Sequence, residues 1–220
     1  MTEDRLKSID FSDPYTNSKQ VIIVKSGDSS SKFDVVSKFK NNFIKDNRWK
    51  YIVKGLKNTI IIAVCSAVLG VLFGFMVAFI RATHDKRNCL GILNWICKLY
   101  LTVVRGTPTM IQLLIMYYVV FKAVNVDKVL VAIIAFAINS GAYVAEIMRS
   151  GIMSIDNGQF EAGSSLGLSY RITMISIILP QAIKNVLPAL CNEFITLLKE
   201  TSICGYIGLT DLTRGGDIIR

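Results

Sequence analysis

Past residue 58 the chain alternates between long apolar runs and short polar stretches. Thr59 to Ile80 is 22 residues without a charge, and at ~1.5 Å per helical residue it crosses a ~30 Å hydrocarbon layer. A buried helix of a soluble protein is the alternative, and the runs that follow count against it. A signal peptide does not fit, because the run starts late and no small-residue cleavage pattern ends it. Gly70 and Gly74 (GVLFG) give the GxxxG spacing that allows close helix approach. Leu90 to Val104 is apolar but interrupted by Asn94 and Lys98, and can lie along the interface before rising. Arg105-Gly106-Thr107-Pro108 follows, then Thr109 to Phe121, apolar except for Gln112. Proline suits a first helical turn and kinks an interior. A second span therefore either starts near Thr107 and is short, or occupies about 100–121 and bends at Pro108. In the second case Arg105 lies near the membrane and needs a partner or must snorkel.

A third span, about 129–148, carries Asn139, Ser140 and Gly141 at mid-depth, which suggests helix contact rather than lipid contact. Glu146 and Arg149, three apart on one face, can pair. The fourth, 172–198, is broken by Pro180, Lys184, Pro188, Asn192 and Glu193. Charge and irregular backbone are tolerated in a membrane only against protein or water. This run either lines a pathway or is a kinked structural helix with its charges near its ends. The fold class is all-α and polytopic, with four visible spans.

The flanks add little chemistry. Residues 1–42 are polar and read as a tail, with one apolar patch, Val21 to Lys25, that is either a strand or an accidental apolar run. Phe39, Phe43, Trp49, Tyr51 and Ile52 among lysines resemble an interfacial anchor. Residues 199–220 hold four glycines and have room for one short helix, not a span. The net charge of +9 concentrates in 1–58 and 81–105. Neither stretch interleaves aromatics as a nucleic-acid surface would, and anionic lipid is the simpler partner. Counting basic residues near the membrane on the two sides gives a tie, so charge does not orient the chain. The five cysteines show no metal or redox spacing, and His84, the only histidine, has no ligand cluster around it. No catalytic set and no metal site are expected. Without a P-loop or GxGxxG turn, any pumping must draw on a partner or an ion gradient.

Asp156 to Gly167 reads as a short helix, capped by Asp156 or Asn157 and stopped by Gly167. The small residues Ala162, Gly163, Ser164 and Ser165 let another backbone approach, and Glu161 offers one charge to a partner. A surface helix without a partner is the plainer account of these residues. Glu161-Ala162-Gly163, three residues, Gly167, nine residues, then Ile177-x-Leu179-Pro180 resembles the EAA motif of the membrane subunits of bacterial ABC importers. Gly163 replaces the motif's third small residue, alanine. Gly55 to Thr59 resembles the GLxxT entry of the polar amino acid permease group, and Arg105-Gly106-Thr107-Pro108 with Gln112 its RGTPxxxQ. Tyr143 to Ile152, Lys199 to Ser202 and Gly208 to Leu212 match further segments of that group, so the resemblance covers about 43–212.

The resemblance implies a permease subunit of the type I importer kind, for amino acids or similar small polar solutes. It implies a cytoplasmic coupling helix of Glu161, Ala162, Gly163 and Gly167 within a loop at 153–171. It also implies no cofactor on this chain, with ATP and magnesium on a partner ATPase subunit. A second membrane subunit, identical or not, and an extracytoplasmic solute-binding protein complete the set. The protein would lie in the bacterial cytoplasmic membrane, with its N-terminus outside and the 81–105 and 150–171 loops inside. Gln112, Asn139, Glu146, Lys184, Glu193, Lys199 and Glu200 are candidates for the pathway. Arg105 to Pro108, with Leu179 and Pro180, are candidates for its structure. The group commonly has a fifth span after the Gly208–Leu212 segment, and residues 213–220 read as a tail truncated before it. The competing functions are an ion-coupled secondary transporter fragment, using the broken run 172–198, and a non-transporting membrane scaffold.

Overall fold

The computed structural model describes residues 43–44, 47–87 and 90–219. The expectations for 1–42, including the strand at Val21 to Lys25, lie outside these residues. Every regular element among the described residues is helical. The sequence from Trp49 to Arg87 contains no proline, and it forms one 39-residue helix, α1 (Trp49–Arg87). The span expected at 59–80 is therefore only its middle. Helix α2 (Gly91–Gly106) and helix α3 (Thr109–Ile115) follow, and α3 continues as a wider π-helical turn, Met116–Val120. Helix α4 (Lys128–Met153) starts at Asp127, whose carboxylate accepts the Val129 N–H at 2.9 Å. Helix α5 (Asn157–Ser165) is the short polar one. A last helical stretch runs Tyr170–Ile207. Within it, α6 (Leu179–Glu200) is preceded by a π-helical segment, Thr173–Ile178, and followed by a 3₁₀ turn, Thr201–Ile207. Proline at 180 has no N–H and crowds the carbonyl four residues back, and the wider turn just before it relieves both defects. Helix α7 (Leu212–Ile219) closes the described chain.

Three stretches are long and apolar enough to cross a membrane: Trp49–Asp85, Lys128–Met153 and Tyr170–Ile207. Their side-chain contacts fix their relative directions. Ser66 Oγ donates to the Ile133 carbonyl at 3.1 Å, Arg81 pairs with Glu146 and Asp85 with Arg149. The numbers rise together, so α1 and α4 are parallel. The GxxxG pair lies in this seam. A methyl group at Gly74 would sit 2.7 Å from the Gly141 carbonyl oxygen, and one at Gly70 3.2 Å from Ser140 Oγ. Backbones this close gain van der Waals contact where lipid offers no hydrophobic drive. Helix α6 runs the other way: Glu193 meets Ser140, whereas Asn185 meets Ser154.

Parallel α1 and α4 require the chain between them to return from one face of the membrane to the other. That return is made by α2 and α3, which meet at an angle of 106°. The climbing part of span two, Thr109–Val120, is the short helix expected to start near Thr107, and Pro108 marks a break between two helices rather than a kink within one. Thr107 is forced extended (φ −116°, ψ 141°) by the following proline, so the helix ends and restarts. Helix α3 climbs beside α4, from Gln112 at Asn139 to Tyr117 at Lys128. Helix α2 lies across the seam, with Tyr100 donating to the Ile138 carbonyl and Arg105 reaching Glu146. Glu146 and Arg149 do not pair with each other as their spacing allows. The parallel packing sets Arg81 and Asp85 of α1 opposite them, and each takes its partner there.

Candidate functional site

Helix α5 follows α4 at the end of the body marked by the Arg81 and Asp85 ion pairs. The Asp156 carboxylate accepts the Gly158 N–H and caps its start. Its end is a Schellman turn: Gly167 has φ +74°, its N–H donates to Ser164, and the Leu168 N–H donates to Gly163. The inner face is fixed by Gly163, which is buried; a methyl there would be 2.6 Å from Thr173 Oγ1. The departure from alanine therefore has a local cause: the helix backbone rests on the first turn of the next membrane stretch. The ring of Phe160 stacks on Tyr170 with centroids 6.2 Å apart, and both pack on the cluster of Ala82, Ile152, Ile155, Met174 and Ile178. Glu161, Ala162, Ser165 and Leu166 face outward, and Leu166 is 77% exposed. The outward face thus sets an exposed leucine beside a carboxylate and small residues, on a helix held from behind.

The pathway candidates separate into three arrangements. Gln112 Nε2 donates to the carbonyls of Val104 and Thr107 and to Thr107 Oγ1, while its Oε1 accepts from Asn139. Its place four residues after Pro108 is thereby explained. The break at 107–108 strands the last carbonyls of α2, and Gln112 turns back to satisfy them. Glu146 lies between Arg81, at 2.6 Å, and Arg105, at 3.8 Å, and Arg105 also covers the Tyr143 ring. Glu193 accepts from Ser140 at 3.0 Å, and Glu200 accepts from Thr109 at 3.5 Å. Seven residues apart, these two carboxylates share one face of α6 and look toward α4 and α3. Lys184 and Lys199 are exposed, so the structure does not gather them with the carboxylates. Leu179 is buried in the cluster beneath α5, Pro180 is exposed at the start of α6, and Gly106 to Pro108 are exposed at the bend. Among the described residues no three His, Cys, Asp or Glu side chains come together as metal ligands.

One site was not foreseen. The segment 208–215 is bound to the start of α1. Asn58 Nδ2 donates to the Thr210 carbonyl at 2.8 Å, and Thr59 Oγ1 accepts the Leu212 N–H at 3.2 Å. Gly55 lies so close to the Asp211 carbonyl that any side chain would overlap it, and Gly215 meets the Tyr51 carbonyl in the same way. Asp211 is 1% exposed and accepts the N–H groups of Thr213 and Arg214. The motif stretches 55–59 and 208–212 are the two halves of one clamp. The trace in the sequence is that both open with Gly-Leu and carry small polar residues two to four positions on (Asn58 and Thr59; Thr210 and Asp211), and this says nothing of their pairing.

Residues 70–220 match the family described as binding-protein-dependent transport system inner membrane component. The chain belongs to that family. It is a membrane-spanning transport subunit, with the all-α permease fold of type I ABC importers. The arginine transport system permease protein ArtQ of Bacillus subtilis (strain 168) is 40% identical over 166 residues, 74% of this chain and 74% of ArtQ. The L-cystine transport system permease protein TcyB of the same organism is 35% identical over 175 residues, 79% of this chain and 72% of TcyB. The crystal structure of an amino acid ABC transporter with histidines contains a chain 41% identical, with a TM-score of 0.70 and 78% of each chain covered. The match starts within α1 and includes the bend, α5 and the 208–215 half of the clamp.

Proposed function

We propose that this permease carries amino acids across the bacterial cytoplasmic membrane, driven by a separate ATP-hydrolysing subunit that docks on α5. The observation that carries the reading is the mounting of α5. Gly163 rests on Thr173 and the Schellman turn at Gly167 fixes the exit, so a push on Glu161 and Leu166 moves the start of the last membrane stretch. The family membership and the amino acid substrates named for the relatives support the substrate class. On this reading α5 is cytoplasmic, the start of α1 and the 208–215 clamp face outside, and a solute-binding protein delivers substrate there. A second membrane subunit completes the path. Glu193 and Glu200 then offer carboxylates to the cationic group of an amino acid within the span.

The test uses the assembled importer, purified with its ATPase subunit. Glu161→Lys combined with Gly167→Pro removes the docking charge and the left-handed stop. It is expected to abolish co-purification of the ATPase and substrate-stimulated ATP hydrolysis. Full stimulation in that variant would sink the coupling role of α5. Transport that persists without any ATPase attached would point instead to an ion-coupled carrier.

A further inference from the structure

We infer that the polar face of α2, where it crosses α1 and α4, holds the phosphate headgroup of an anionic phospholipid. A cavity of about 410 Å³ opens there, lined by Arg81, Lys98, Thr102, Arg105 and Glu146 among others. Three cations face one carboxylate. Glu146 is shared between Arg81 and Arg105, and Lys98 forms no ion pair among the described residues. The Arg81 Nε–H is buried without an acceptor among the described residues. Positive charge therefore exceeds its compensation, and it does so at membrane depth. Glu146 lies seven residues before the end of α4, about 10 Å along the helix axis, which is the level of headgroups rather than of the bilayer centre.

The helix that carries the site has three faces. Asn94, Cys97 and Leu101 are buried against the body. Lys98, Thr102 and Arg105, at spacings of four and three, form a polar stripe beside them. Ile92, Trp95, Leu99 and Val103 form the next stripe, and Ile92 is 81% and Trp95 64% exposed. Helix α3 climbs beside the membrane-crossing α4, and α2 lies at 106° to α3, across that direction as an interfacial helix does. An interfacial helix with a basic stripe beside an apolar one places a phosphate on the first and acyl chains on the second. A free anion would use only the cationic stripe, so the apolar stripe selects the lipid. The site does not depend on the proposed transport reaction; only the leaflet, the cytoplasmic one, rests on that reading.

The test is native mass spectrometry of the intact importer, released from vesicles of 70% phosphatidylethanolamine and 30% cardiolipin. Cardiolipin is expected to remain bound to this subunit. Lys98→Gln with Arg105→Gln is expected to reduce its retention by about tenfold, and Glu146→Gln, which removes the competing carboxylate, to increase it. If the double variant does not assemble, Lys98→Gln alone alters one exposed side chain and is expected to lower retention in part. Equal retention by wild type and variants would overturn the proposal. Displacement of the bound lipid by 10 mM inorganic phosphate would also overturn it, because the apolar stripe would then contribute nothing. ATP hydrolysis is not the readout, so failure here leaves the coupling role of α5 untouched.

Discussion

The two ends of α1 are fastened by different chemistry. Near its start, Gly55 and Gly215 let backbones touch, and neutral hydrogen bonds from Asn58 and to Thr59 hold the 208–215 segment. Near its finish, Arg81 and Asp85 reach across to Glu146 and Arg149 as ion pairs. A backbone seam depends on volume: one methyl too many and the surfaces separate. An ion-paired seam depends on charge and geometry, and long side chains can follow a moving partner. The first suits a joint that stays shut, the second a joint that can shift without parting. The Arg81 side chain is only 12% exposed, which keeps its pair from being a solvated surface contact.

That contrast can be broken by mutation. Gly55→Val should have the largest effect, because the new side chain overlaps the Asp211 carbonyl in a seam with no room to yield. A loss of about 3 kcal/mol is expected, read as a drop in thermal stability of the detergent-solubilised protein with early proteolysis at 208–219. Asp211→Ala keeps the close approach but uncaps α7, leaving the Thr213 and Arg214 N–H groups without their acceptor. It should cost about 1–2 kcal/mol by the same measurement. Arg149→Gln should cost the least, about 0.5–1 kcal/mol, and the difference from wild type should shrink as salt rises. If Gly55→Val proved no worse than Arg149→Gln, the distinction between a steric and an ionic joint would be lost. A salt-independent Arg149→Gln would sharpen the question differently, by showing that the Asp85 pair acts through packing.

Much of the body was legible in the sequence. Uncharged length marked α1 and α4, the glycine at 167 marked the end of α5, and small residues at 70, 74 and 139–141 marked a contact face. What was not legible depends on partners distant in the chain. Glu146 and Arg149 look like a pair when only one helix is considered, and the parallel alignment with α1, which no periodicity encodes, assigns them elsewhere. Gly163 stands where the motif has alanine, and the reason lies in Thr173, ten residues on, which the motif does not show. The proline at 108 announced a bend, but not a 106° turn, because the angle depends on where α4 holds α3. Gln112 counted as a pathway candidate since it is polar within an apolar run; its bonds to Val104, Thr107 and Asn139 show how it repairs a broken helix.

The parallel pairing of α1 with α4 has a consequence for how the protein is made. Ser66 finds its acceptor 67 residues later in the chain, and Asn58 finds its own 152 residues later. At a synthesis rate of about 5–20 residues per second, α1 waits several seconds in the membrane for α4. It waits roughly 8–30 seconds for the segment that clamps its start. During that interval its glycine seam and its Arg81 are open to whatever the insertion machinery or a neighbouring chain presents. The hydroxyl, the two glycines and the arginine that make the finished body rigid are also what must be sheltered while it is incomplete.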